Sequence, residues 1–208
     1  MLAKYHIHGM KDILQRLLFF LRHEGFTFGD FDHLYMNYTP SLPHGEVRPS
    51  QRPVDRYHPW LRDTDAGCDI DLFRSMTREE QRRFLSETIR KAALLHADEG
   101  NAAIFENCYQ SVMAHGSALE IPYKEKTGEH LRITVSTTID DDAQFHPIVR
   151  IYDKADTLRL EERLKPCGRD AFLAQFGTIT LGKRTVRIDP RKSDFLRGQK
   201  VGRLKFSV

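Results

Sequence analysis

The feature that most constrains this fold is a change of hydrophobic period at Gly116. Before it, apolar residues recur at helical spacing. Ile13, Leu14, Leu17, Leu18 and Leu21 form one such stripe, and Gly25 stands where that helix should stop. Ile104, Phe105, Cys108 and Val112 form another, in a stretch that Asn101 can cap and Gly116 can end. After Gly116 the pattern alternates: Leu119, Ile121 and Tyr123, a Thr127-Gly128 turn, then Leu131, Ile133 and Val135. A chain that runs helices first and strands second is α+β. The expected layout is a helix-rich amino-terminal half packed on a mainly antiparallel sheet from the carboxy-terminal half. One domain over residues 1–208 accommodates it, with a possible subdivision near 116/117, since no Gly/Ser-rich or proline-repeat linker separates the halves.

Asp55 to Leu95 holds the only tryptophan, the densest carboxylate cluster and the clearest helix start. Thr77 followed by Glu80 fits a capping box, in which hydroxyl and carboxylate each satisfy an orphan backbone N–H. Phe84, Leu85, Thr88, Ile89, Ala92 and Leu95 continue at helical spacing, and Gly100 is the expected stop. The preceding residues read as an irregular loop: five prolines fall between Pro40 and Pro59, without periodicity. Upstream, the aromatic run from Phe31 to Tyr38 predicts a strand. Downstream, FHPIVRIYDK predicts a strand and Asp170 to Phe176 a short helix. TITLGKRTVRIDP reads as two strands about Gly182-Lys183, and GRLKFSV as an edge strand. Residues 156–165 are ambiguous: Leu158, Leu160 and Leu164 fit a strand, while the charge spacing tolerates a helix.

No apolar run approaches the roughly 20 residues that cross a bilayer, and the longest, Leu17 to Leu21, lacks a secretory cleavage site. A cytoplasmic protein with no membrane partner is the expectation. Cys68, Cys108 and Cys167 are isolated from one another, which argues for buried thiols rather than a disulfide framework or zinc knuckle. The net charge of +3 is unevenly spread. Residues 1–116 carry 14 Lys/Arg against 16 Asp/Glu, and residues 117–208 carry 18 against 13. The basic excess gathers in Lys183, Arg184, Arg187, Arg191, Lys192 and Arg197. These residues offer counterion release to nucleic acid, although aromatics for base stacking are few there.

Four carboxylates, Asp63, Asp65, Asp69 and Asp71, resemble the oxygen ligands of a hard cation, but the spacing fails the EF-hand loop and Arg74 occupies its twelfth position. They read instead as helix-start and turn residues, or as an acidic patch for a basic partner. His6-x-His8 places two rings on one strand face with no third ligand nearby. No catalytic, metal-binding or phosphate-binding motif is present, so no cofactor, metal or catalytic residue is assigned. Cys68 lies beside Asp65 and Asp69, whose charges oppose thiolate formation. Trp60 and Tyr57 remain, with two fates for Trp60: packed on the Thr77–Leu95 helix, or exposed as an interface anchor. The packed fate is expected, because the prolines stiffen the loop.

In the order LYMNYTP, a proline-rich loop, YHPWLRDTDAGCDIDLF, a helix opened by TREEQRRF, and a strand-rich half containing VRIYDKAD, the chain resembles bacterial immunity proteins of polymorphic or contact-dependent toxin systems. The resemblance spans most of the chain as a layout and carries no invariant residue across. It implies a small α+β protein that binds and blocks one cognate toxin without a cofactor. Trp60, Tyr57, Asp63, Asp65, Asp69 and Asp71 are then the candidate contact residues. Two other classes stay open: a cytoplasmic hydrolase or nuclease using dispersed His and Asp residues, and a nucleic-acid-binding regulator using the basic stretch.

Overall fold

The stripe from Ile13 to Leu21 forms α1 (Lys11–His23), which buries Ile13, Leu17, Phe19 and Leu21. The computed structural model in which it lies describes residues 10–54, 56–193 and 198–208. His6, His8 and Arg197 fall outside these residues. The protein is α+β, and the chain divides into two compact units, one up to Ala114 and one from His115 onward. No helix among the described residues is long and apolar enough to cross a membrane.

The first unit contains a sheet of its own. Its strands are β1 (His33–Thr39), β2 (Val47–Pro49) and β3 (Leu61–Gly67), in the order β1-β3-β2. β1 runs parallel to β3, and β2 pairs antiparallel on its other side. The expected irregular loop around Asp63 and Asp65 is therefore corrected to the central strand of this sheet. The strand escapes a pattern search because its inward residues, Thr64 and Ala66, are small, while its outward ones are aspartates. Gly67 ends β3 under a close crossing of backbone. A Cβ there would lie 1.8 Å from the Pro43 carbonyl oxygen, so the loop and strand can approach only over glycine.

A short helix, α2 (Ile70–Ser75), leads to α3 (Arg78–His96). The capping box of α3 is formed: Thr77 Oγ1 accepts the Glu80 N–H at 3.3 Å and the Glu80 carboxylate accepts the Thr77 N–H at 2.8 Å. The Thr77 N–H first, and then its hydroxyl, donate to the Glu80 carboxylate and hold it below its ordinary pKa. α3 lies on the inward face of the sheet through Tyr38 Oη to Thr88 Oγ1 and His96 Nε2 to Thr64 Oγ1, each 2.8 Å. α4 (Glu99–His115) joins α3 through Arg90 and Glu106 at 2.7 Å. Gly100 is not the stop of α3. That helix ends at His96, and Asp98, rather than Asn101, caps α4 by accepting the Asn101 N–H at 2.8 Å. Asp98 and Asn101 are comparable caps, but the negative charge of Asp98 also meets the positive end of the helix dipole, and the cap falls three residues earlier.

His96 gives this unit a pH signature. Burial is the main cause that lowers its pKa below the ordinary 6.5, with Arg62 a second. The unfolded chain therefore takes up a proton that the folded unit resists, and stability falls as pH drops through about 6.5. The capping carboxylates, Glu80 and Asp98, are held low and lose their contribution only below about pH 4.5. His96→Gln keeps a hydrogen-bonding group near Thr64 but cannot titrate. Thermal melts between about pH 7 and pH 5 are expected to show a falling midpoint for the parent and a flatter one for His96→Gln.

The second unit is built from hairpins. β4 (Ile121–Thr127), β5 (Leu131–Ile139), β6 (Phe145–Asp153) and β7 (Leu158–Arg163) form an antiparallel meander in chain order. The ambiguous stretch is thus strand. A smaller sheet holds β8 (Thr178–Leu181), β9 (Thr185–Asp189) and β10 (Leu204–Ser207), with β9 central. Between them α5 (Arg169–Gln175) inserts Phe172, fully buried among Tyr123, Phe145 and Phe176 at ring distances of 4.8, 5.0 and 5.1 Å. β4 clasps the chain that follows α5: Lys124 Nζ donates to the carbonyls of Phe176 and Gly177, and Lys126 Nζ to that of Ile179, all at 2.7 Å. Burial first, then Arg191, pulls the Lys124 pKa down.

Candidate functional site

The parity of three strands decides what the first unit shows to solvent. Tyr38, Thr64 and Ala66 point toward α3, so Tyr35 and Asn37 of β1 and Asp63 and Asp65 of β3 share the opposite face. Register places Tyr35 beside Asp63 and Asn37 beside Asp65, and β2 brings Arg48 opposite Asp65. Asn37 is the hub. Its amide nitrogen donates to Asp63 at 3.0 Å and to Asp65 at 3.4 Å, while its oxygen accepts from Arg52 at 3.3 Å. Arg52 also stands 3.9 Å from the Asp63 carboxylate. A hollow of about 850 Å³ lies over this face, lined by Asn37, Thr39, Arg48, Gln51, Arg52 and Asp65.

This cluster is polar and charge-balanced rather than acidic. Two carboxylates and the Arg52 guanidinium meet through one amide, with Arg48 opposite Asp65 in register, which fixes side chains that would otherwise be free to rotate. The four aspartates do not form one patch. Asp69 caps α2, its carboxylate accepting the N–H groups of Asp71 and Leu72 at 3.0 Å each, and Asp71 sits in the first turn of that helix. Of the candidate acids, Asp63 and Asp65 belong to the sheet face, and Asp69 serves the helix.

Trp60 corrects the packed expectation: its residue is 43% exposed, and its ring meets His58 edge-to-face at 5.3 Å rather than packing on α3. The backbone explains this position. Trp60 is the last residue before β3, and its carbonyl accepts the N–H groups of Asp32 and His33 at 3.0 and 3.1 Å. The main chain is pinned to the start of β1 while the indole stays at the surface. Tyr57 is 68% exposed under the Arg56 guanidinium, 4.6 Å from its ring centre, and Tyr35 is 54% exposed on β1. Sequence reasoning missed Tyr35, Asn37, Arg48 and Arg52. The alternation in HLYMNYT carried the signal for the first two, while the two arginines lie in a proline-rich stretch without a readable period.

The basic residues belong to the second unit and are more dispersed than their sequence suggests. Lys183 and Arg184 lie in the β8–β9 turn, and Arg187 projects from β9, whose Val186 and Ile188 face inward. Arg187 and Arg203 both spend their charge on Asp189, at 2.9 and 2.6 Å, with Arg203 the larger cause of that carboxyl's low pKa. Arg191 reaches the Tyr123 hydroxyl at 3.4 Å, and Lys192 is exposed. The three thiols are all pushed up by burial, Cys108 to about 11, with Asp69 adding to the effect at Cys68. None is poised as a thiolate nucleophile.

Comparison of the chain with protein-family models, curated proteins and solved structures finds no match.

Proposed function

We propose that the protein acts as a bacterial immunity protein, binding one cognate toxin in the cytoplasm by stoichiometric protein–protein contact through the open face of the first unit's sheet. The observation that carries this reading is the pair of exposed aromatics Tyr35 and Trp60, on backbone held by strand pairing and by the Trp60 carbonyl, with the exposed Tyr57 three residues before Trp60. Rigid Trp, Tyr and Arg side chains are the residues that dominate binding energy at interfaces. The adjoining Asn37–Asp63–Asp65–Arg52 cluster adds prearranged polar partners, which favour association rate and specificity. The layout resemblance to immunity proteins supplies the identity of the partner class.

The test is a titration of the chain against the product of the gene beside its own. Inhibition should reach its end point at one equivalent, with a one-to-one complex in light scattering. Turnover of a substrate by the chain alone, abolished by a single His or Asp change, contradicts the reading. Trp60→Ala should weaken the complex by about 2 kcal/mol or more, while its melting midpoint stays within about two degrees of the parent. A large fall in the midpoint would return Trp60 to a core role.

A further inference from the structure

A second surface of the first unit adjoins the open face and shares Tyr35, Asn37 and Arg52 with it. A groove of about 1260 Å³ runs between α1, β1 and α3. It touches every residue from Asp32 to Tyr38. Consecutive strand residues point to opposite faces, so a groove that meets all of them runs along the edge of β1. That edge is open: β1 pairs with β3 on one side, and no described strand pairs with the other. Seven residues long, and with neither lysine nor proline, β1 lacks the usual devices that blunt an edge strand.

The walls are apolar and the rim is cationic. Leu14, Leu18 and Leu21 of α1 line the groove together with Leu34, Leu85 and Ile89, and Leu18 is 56% exposed. The charged lining consists of Arg22, Arg52, Arg74, Arg78 and Arg82 together with Asp32. Arg82 is bound to Asp12 and Arg52 to Asn37, while Arg22 and Arg78 are exposed residues. An unpaired strand edge demands a backbone partner, the leucine walls demand apolar side chains, and the arginine excess selects negative charge.

We infer that this groove receives an extended acidic segment of a partner protein, which adds to β1 as a strand, sets alternate apolar side chains on the α1 wall and meets the arginines with its carboxylates. The contact rests on the β1 edge and the leucine wall; it borders the open sheet face at Tyr35, Asn37 and Arg52, and it stands whether or not that face binds a toxin. A second copy of the chain fits less well, because its own β1 brings no carboxylate to the arginines.

The test uses the full chain and a labelled, capped peptide of about eight residues in which valine and glutamate alternate, read by fluorescence anisotropy. Three further peptides serve as comparisons: lysine in place of glutamate, alternate backbone nitrogens methylated, and a leucine–glutamate peptide patterned as a helix. The expected result is saturable binding of the first, weakened at least about tenfold by methylation, by the lysine exchange and by moderate salt. Leu18→Glu, at an exposed position, should weaken it similarly with an unchanged melting curve. Any one of the following overturns the inference: no saturable binding, indifference to methylation, or tighter binding of the helical peptide. So does a concentration-dependent dimer that the peptide disperses, which would put a second copy on the edge.

Discussion

Phe172→Ala is expected to destabilise the second unit by about 3–5 kcal/mol, the cost of emptying a closed aromatic site. Phe172 is fully buried, and rings on three sides approach within 4.8 to 5.1 Å. Those rings come from β4, β6 and the end of α5, so collapse around the cavity would have to move two strands of a paired meander. Phe172→Leu retains most of the volume and should cost about 1.5 kcal/mol or less. Denaturant unfolding of both variants, with amide exchange in β5 and β6 as the local readout, checks this. Equal losses for alanine and leucine would mean that the ring's shape, not the filled volume, holds the site.

Asp12→Ala should have an effect of similar size in the first unit. Asp12 is 2% exposed in the first turn of α1, where its carboxylate accepts from Arg16 at 3.1 Å and from both terminal nitrogens of Arg82 at 2.8 and 3.2 Å. This pairing ties α1 to α3 and so sets the width of the groove between them. Removing one partner of a buried ion pair costs about 3–5 kcal/mol, because the charge left behind stays desolvated. Arg82 has a path to water, its side chain being 22% exposed, but Arg16 is buried to 3%. Asp12→Leu combined with Arg16→Met should recover most of the loss, since apolar replacements of a buried pair are often near neutral. Chemical denaturation of the single and double variants measures both. A double variant no better than Asp12→Ala would show that the polar pair itself, rather than the buried charge of Arg16, is what the unit needs.

The contrast between what the chain announced and what it concealed follows from where each signal resides. The capping box at Thr77 and Glu80 is local, four residues whose side chains bond their own backbone, and the structure contains it as expected. The β4–β5 hairpin is also local, alternation on both sides of a turn. β3 was hidden because a strand with one polar, open face and small inward residues carries no apolar period. Its glycine, too, reads as a turn residue, although it marks the crossing of two backbones. The open face proposed for the partner was half legible. Trp60, Tyr57, Asp63 and Asp65 stood out by type, but Asn37, Arg48 and Arg52 gain meaning only from the register that brings β1 and β2 to the two sides of β3. The groove was invisible, since α1, β1 and α3 are far apart in sequence and Leu18 and Leu34 each look like ordinary core positions.

The central claim is that the partner occupies the open face of the first unit's sheet. Hydrogen–deuterium exchange of the chain, free and saturated with the neighbouring gene product, tests it most directly. The account predicts new protection confined chiefly to residues 33–39 and 56–65, with Trp60→Ala removing that protection at the same concentrations. Protection confined instead to residues 183–192 of the second unit, with the sheet face exchanging as it does in the free chain, would contradict it.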